Sequence, residues 1–257
     1  MTVHFPLLIS VGKERLHAVC HIPEIKRAPF PVVLFFHGLG GNKVGSFRCL
    51  ANLADKLTSY GIATVRFDFR GHGDSDGTFS SATLHRCIED AFSVYEWVKS
   101  YPFFATSCLG FFGRSFGGLL SIIMARMCHV RVVVVHAPPF SIDPYLQPAH
   151  PSHLEERDHR LFFYGEPLAL SFLDELKAVH MQEKVEAIGD IPFLHISGGK
   201  DLVVNHDHTD KYREARKNAT APSCFIELPN ADHACSLFSD RQKLLHESTE
   251  WFISHLL

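Results

Sequence analysis

Apolar residues fall along this chain in two alternating patterns. Continuous runs of β-branched and aromatic residues, "PVVLFFH" (31–37), "IATVRFDF" (62–69), "SCLGFF" (107–112), "VRVVVVH" (130–136), "IPFLHIS" (191–197) and "SCFIELP" (223–229), have the length and composition of buried strands. Between them, "FRCLANLADKLTSY" (47–60), "ATLHRCIEDAFSVYEWVKS" (82–100), "FGGLLSIIMARM" (116–127), "HTDKYREARKN" (208–218) and "LFSDRQKLLHESTEWFISHLL" (237–257) carry helical spacing. The helix over 116–127 is apolar almost all round and is expected to be buried. Residues 3–22 read as two short strands around "VGKE". The rhythm fails between 138 and 190, where Pro138, Pro139, Pro144, Pro148 and Pro151 exclude a long helix before "LALSFLDELKAVHMQEKVEAI" (168–188) resumes helical spacing.

Such alternation implies right-handed crossovers and an α/β fold: a mainly parallel central sheet with helices on both faces. With 257 residues, 46% of them hydrophobic, the chain is long enough for one substantial core. A single domain over 1–257 is expected, with a small inserted cap at about 138–190. The formal charge of −3, without any long basic run, argues against nucleic acid as a partner. The 7 cysteines include no C-x-x-C pair and suit reduced thiols better than a disulfide framework or a zinc site, so a cytoplasmic location is expected. The N-terminal "VHFPLLISV" lacks a basic flank and is interrupted by His4 and Pro6, and no apolar run reaches the roughly 18 residues of a membrane span. The sequon at Asn218 matters only in an exported protein.

Within this frame "FFGRSFGGLL" (111–120) places Gly113-Arg114-Ser115-Phe116-Gly117, a G-x-S-x-G motif, between a strand and a helix. A serine on so tight a turn is presented to solvent, and the helix that starts there directs its free N–H groups and positive dipole end at charge developing near it. Glycine and serine also make ordinary N-caps, so the motif needs partners. Position selects them: His233 follows the last strand and Asp201 the one before it, both at the sheet edge where Ser115 emerges. Alone, each reads equally well as a cap or a turn residue. Together they supply a nucleophile, a general base and the acid that orients it. "HGLGG" (37–41) follows the third strand, and its glycines let the backbone turn the Leu39 N–H toward a substrate oxygen; the Phe116 N–H would be the second donor of an oxyanion hole. His37 is expected to hold that loop.

The elements "HGLGG", "RFDFRGHGDSDG" (66–77), "GRSFGG", "GGKDLVV" and "NADH", in this order and spacing, resemble the serine α/β-hydrolases, most closely the bacterial cinnamoyl or feruloyl esterases. The resemblance runs over nearly the whole chain and implies the α/β-hydrolase fold. It places Ser115, Asp201 and His233 on the triad positions, makes "RFDFRGHGDSDG" a fold signature, and makes the insertion a substrate-binding subdomain. The elbow departs from those esterases, which carry His and Gln around the serine where this chain has Arg114 and Phe116.

Other motifs fail on spacing or context. Gly71, Gly73 and Gly77 are one residue too long for a dinucleotide fingerprint, and Leu194 and Asp201 stand where a P-loop needs Gly and Ser or Thr. His206, Asp207 and His208 read as a solvated helix start, so no metal and no cofactor are expected. The expected activity is that of a serine carboxylesterase, for which the resemblance implies short-chain or hydroxycinnamoyl esters, with a small-molecule ester as partner. Phe140, Tyr145, Phe162, Phe163, Tyr164 and Phe172 are candidates for the wall of its acyl slot. A monoacylglycerol lipase, thioesterase or peptidase relative would use the same triad, and a hydrolase-fold binding protein without turnover is the rival from another class. The oligomeric state is left open, a homodimer included.

Overall fold

The computed structural model describes residues 2–24, 28–146, 150, 154–157 and 160–257; Pro148 and Pro151 lie outside them. Where two short strands were expected around "VGKE", β1 (Thr2–Val11) and β2 (Glu14–Pro23) run ten residues each and pair as an antiparallel hairpin, and β3 (Phe30–Phe36), β4 (Ala63–Phe67), β5 (Phe104–Arg114) and β6 (Val132–His136) follow. Helices α1 (Cys49–Ser59), α2 (Leu84–Lys99) and α3 (Phe116–Met127) connect the four strands β3 to β6. The insertion holds β7 (Leu154–Arg157), β8 (Arg160–Phe163), β9 (Glu166–Leu168), α4 (Leu170–Lys177) and α5 (Met181–Ala187). β10 (Phe193–Gly198), α6 (His206–Ala215), β11 (Ser223–Leu228) and α7 (Phe238–Leu256) complete the chain.

Eight strands form one sheet in the order β1-β2-β4-β3-β5-β6-β10-β11. The β1/β2 and β2/β4 pairs are antiparallel and the rest are parallel. The continuous apolar runs resolve into two faces, because successive side chains on a strand point oppositely. On β3, Val32, Leu34 and Phe36 join one core with residues of α2 and α3, whereas Val33 and Phe35 join a second with residues of α1 and α7. Burial on both faces is why these strands lack polar alternation.

The chain leaves β3 toward β4 on one side and returns to β5 on the other. The carboxyl ends of β3 and β5 therefore flank a topological switch point, where open α/β sheets bind ligands. The register pairs Phe36 with Gly113, so the segment after Phe36 runs beside the segment after Gly113.

Two expectations for the insertion need correction. β7, β8 and β9 form a small antiparallel sheet that periodicity missed. Its second turn is Tyr164-Gly165, both at positive φ (51° and 81°), a two-residue hairpin turn without the usual Asn-Gly signal. The helical spacing over 168–188 is also not one helix, because it breaks at 178–180, where His180 leaves helical geometry (ψ 81°). Among the described residues no helix is long and apolar enough to cross a membrane, and Cys20, Cys49, Cys87, Cys108, Cys128, Cys224 and Cys235 are free thiols.

Candidate active site

Ser115 sits between the last residue of β5 and the first of α3 with φ 53° and ψ −125°, a positive-φ conformation that costs a non-glycine residue on the order of 1–3 kcal/mol. The neighbours hold it there. Its N–H donates to the His136 carbonyl (2.8 Å) on β6, and its own carbonyl accepts from Gly118 (2.8 Å) at the start of α3. The flanking glycines are steric necessities: a Cβ on Gly113 would lie 2.3 Å from the Gly117 carbonyl oxygen, and one on Gly117 2.2 Å from that of Phe36.

His233, in the loop after β11, brings Nε2 to 3.1 Å from Ser115 Oγ and Nδ1 to 2.8 Å from Asp201 Oδ2. An ionised carboxylate accepts only, so Nδ1 carries the proton and Nε2 is the acceptor facing the serine hydroxyl. Asp201, in the turn after β10, is 5% exposed, and its other oxygen accepts from the Val203 and Val204 N–H groups (2.8 Å each). Those two donors fix the carboxylate. The three residues singled out in the sequence are thus in one hydrogen-bonded line.

Above this line the loop after β3 curls over the elbow, where an added Gly38 Cβ would lie 3.3 Å from Ser115 Cβ. His37 does the structural work expected of it, with Nδ1–H donating to the Gly38 carbonyl (2.8 Å) and Nε2 accepting from Phe69 N–H (3.1 Å). The Leu39 and Phe116 N–H groups are engaged by no hydrogen bond among the described residues. "RFDFRGHGDSDG" braces the same loop: Asp68, with its side chain fully buried, accepts from the Lys43 N–H, the Lys43 ammonium and Asp74 N–H. Gly73 (φ 53°) has no room for a Cβ, which would fall 2.2 Å from the Asp68 carboxylate. Arg70 anchors the far end of the signature on Asp90, Glu14 and Glu89.

Several histidines serve the fold as neutral rings. Burial, with a smaller contribution from His72, pushes His37 down to about 3; burial and Arg213 push His195 down to about 3, and burial holds His136 well below the ordinary 6.5. Because the folded values lie below the unfolded one, the stability these rings contribute is complete above about pH 6.5 and is lost as the pH falls through the folded values. Tm followed by circular dichroism should fall steadily between about pH 7 and pH 4. A flat profile would contradict neutral burial of these rings.

The Ser115 hydroxyl opens into a cavity of about 670 Å³ between the sheet edge and the insertion. Five of the six candidate aromatics, Phe140, Tyr145, Phe163, Tyr164 and Phe172, stand in its wall. Phe162 does not, because it lies between Leu161 and Phe163 on β8 and so faces the other side of that small sheet. Phe172 also packs on Phe116 at 5.4 Å between ring centroids, fastening α4 to the elbow. Sequence reasoning missed a bridge made by Arg114, whose guanidinium donates to the His233 carbonyl (2.8 Å) and to Ser46 Oγ (3.0 Å). The unusual residue in the elbow was its only signal.

Of the proposed non-ligands, His206 starts α6 and His208 is buried, accepting from Phe140 N–H (2.9 Å). Among the described residues His4, His21 and Asp55 do bring ligating atoms together. Arg66 Nε donates to His21 Nε2 (2.9 Å), however, so the proton sits on Nδ1, the nitrogen that faces Asp55. That tautomer offers no lone pair to a metal.

Sheet order and elbow define an α/β hydrolase. The chain belongs to the hydrolase family described as Serine aminopeptidase, S33, which matches residues 27–162, a little over half of it. Among curated proteins it is similar to Lysophosphatidylserine lipase ABHD12 of Xenopus tropicalis (31% identical over 106 residues, 41% of this chain and 26% of that protein). The match to its Danio rerio counterpart is 34% over 99 residues, 38% of this chain and 24% of that protein. The chain thus matches about a quarter of the length of these relatives. Among solved structures, Est1E from Butyrivibrio proteoclasticus with bound ferulic acid superposes with TM-score 0.81 at 20% identity, covering 97% of this chain and 98% of that one. The α/β hydrolase GrgF from Penicillium superposes with TM-score 0.77 at 16% identity over 100% of this chain and 99% of that one. At such identities the likeness is one of fold.

Proposed function

We propose that this hydrolase is a serine carboxylesterase, with residues 1–257 forming one catalytic domain and about 138–190 its cap. The observation that carries the reading is the line from Asp201 through His233 to Ser115 Oγ, ending in the cavity. In the proposed reaction Ser115 Oγ attacks the ester carbonyl carbon as His233 Nε2 takes its proton. Asp201 holds the imidazole tautomer and stabilises its cation, and the Leu39 and Phe116 N–H groups hold the oxyanion. Collapse of the tetrahedral intermediate expels the alcohol, which leaves with the proton from Nε2. Water, deprotonated by the same imidazole, then releases the acid and frees Ser115. Seven free thiols suit a reducing compartment, and a cytoplasmic location belongs to this reading.

The acyl preference we assign is for short or flat groups, hydroxycinnamoyl esters included. Aromatic rings wall the cavity, and flat acyl groups stack on such a wall. With nitrophenyl esters kept below their micellar limits, kcat/KM should peak at short acyl chains or on methyl ferulate. It should fall beyond about eight carbons, each unsheltered methylene forgoing up to about 0.8 kcal/mol. A second reading, a lipase acting on single-chain lipids, is favoured by the partial match to Lysophosphatidylserine lipase ABHD12. Activity climbing to twelve or sixteen carbons would replace the first reading with the second.

A further inference from the structure

We propose that Arg114 is the positioning residue that keeps His233 in reach of Ser115; this rests on the serine-hydrolase reading above. Arg114 is the last residue of β5, one peptide from the nucleophile and paired with His136 in the sheet. Its guanidinium reaches away from β5 to two other segments, holding the carbonyl of His233 at 2.8 Å and Ser46 Oγ at 3.0 Å. A single rigid fork thus ties the elbow, the loop that carries the base and the loop that follows the proposed oxyanion hole.

The rest of the His233 loop is fastened elsewhere. Asp232 accepts from the Ala234 and Ser236 N–H groups, and Arg241 donates to the Cys235 and Ser236 carbonyls. Those bonds fix the loop on both sides of His233 but leave that residue's own carbonyl to Arg114. The imidazole carries a directional demand, since Nε2 must stay near 3.1 Å from Ser115 Oγ while Nδ1 stays on Asp201. A displacement of about 1 Å at such a site costs on the order of 10²-fold in rate.

At the other end of the fork, Ser46 sits in a sharply turned segment. It lies between Gly45 (φ 74°) and two residues in left-handed conformation, Phe47 (φ 51°) and Arg48 (φ 60°), and Gly45 and Ser46 both line the cavity. The Arg241 guanidinium covers the Phe47 ring at 4.8 Å. Arg114 and Arg241 therefore strap the same two loops together, Arg114 at the base itself and Arg241 outside the cavity. This gives the comparison that separates positioning from general bracing.

The test compares Arg114→Ala, Arg114→Lys and Arg241→Ala by steady-state kinetics on a short ester and by the rate of fluorophosphonate labelling of Ser115. Arg114→Ala should lower kcat and the labelling rate together by about 10- to 100-fold with KM changed less than about threefold. Millimolar guanidinium, far below denaturing levels, should restore part of both. Arg114→Lys, whose ammonium reaches one of the two oxygens, should fall between Ala and wild type. Arg241→Ala should lower Tm while altering kcat less than about threefold. Equal kcat losses in Arg114→Ala and Arg241→Ala, absence of guanidinium rescue, or a raised KM with kcat retained would overturn the proposal. Failure of the serine-hydrolase reading looks different: wild-type protein would not label at Ser115 at all.

Discussion

Ser115→Ala should abolish ester turnover, with kcat falling by at least 10³-fold and by about 10⁶-fold if the acyl-enzyme route is the only one. The size follows from the proposed chemistry, since the variant keeps the cavity and the proposed oxyanion donors but has no atom to form the acyl bond. The fold should survive. Removing Oγ deletes one hydrogen bond to His233 at a surface that faces the cavity, and the backbone conformation is held by the His136 carbonyl and by α3, neither of which involves the side chain. Alanine at φ 53° is strained as serine is, so Tm should move by no more than a few degrees. Turnover and fluorophosphonate labelling are measured on the purified variant beside wild type. Retention of more than about a thousandth of wild-type kcat would point to a different nucleophile.

The parts of this molecule that were readable beforehand are those in which local sequence and global fold make the same demand. β3 and β6 must be buried on both faces, so their runs are apolar without interruption. The elbow must bring three backbones together, so Gly113 and Gly117 have no alternative and the motif survives as text. That Asp201 and His233 lie beside Ser115 follows from position, because a parallel sheet sends the ends of β10 and β11 to the same edge as the end of β5.

The insertion obeys weaker rules. Its strands β7 to β9 are short, three or four residues each, too short for alternation to declare itself. Helices α4 and α5 share one spacing but are set at their own angles by packing against α2 and against α3 and α6. Phe162 and Phe163 are adjacent aromatics of equal merit in sequence, and only the register of β8 against β9 decides which one lines the cavity. Arg114 was visible as a departure, but its partners, Ser46 and His233, are 68 and 119 residues away along the chain. No local pattern encodes a contact of that kind.

Asp201→Asn should cost about 10⁴-fold in kcat, and the reason lies in which of its two oxygens is replaced. Val203 and Val204 both direct N–H groups at Oδ1, so that position must remain an oxygen, and the new amide nitrogen is forced to the Oδ2 side. There it meets His233 Nδ1 at about the present 2.8 Å as a donor. The imidazole must then accept at Nδ1 and carry its proton on Nε2, which faces Ser115 and no longer has a lone pair to receive the hydroxyl proton. The ring stays in place and the cavity is unchanged, so KM should vary little while kcat collapses. Asp190→Asn and Asp207→Asn are the controls. Asp190 pairs with Arg126 on the surface and Asp207 lies in the first turn of α6, so each should leave kcat within about threefold of wild type. A large loss in either control together with an undisturbed Asp201→Asn would place the orienting acid elsewhere, and with it the base that Ser115 depends on.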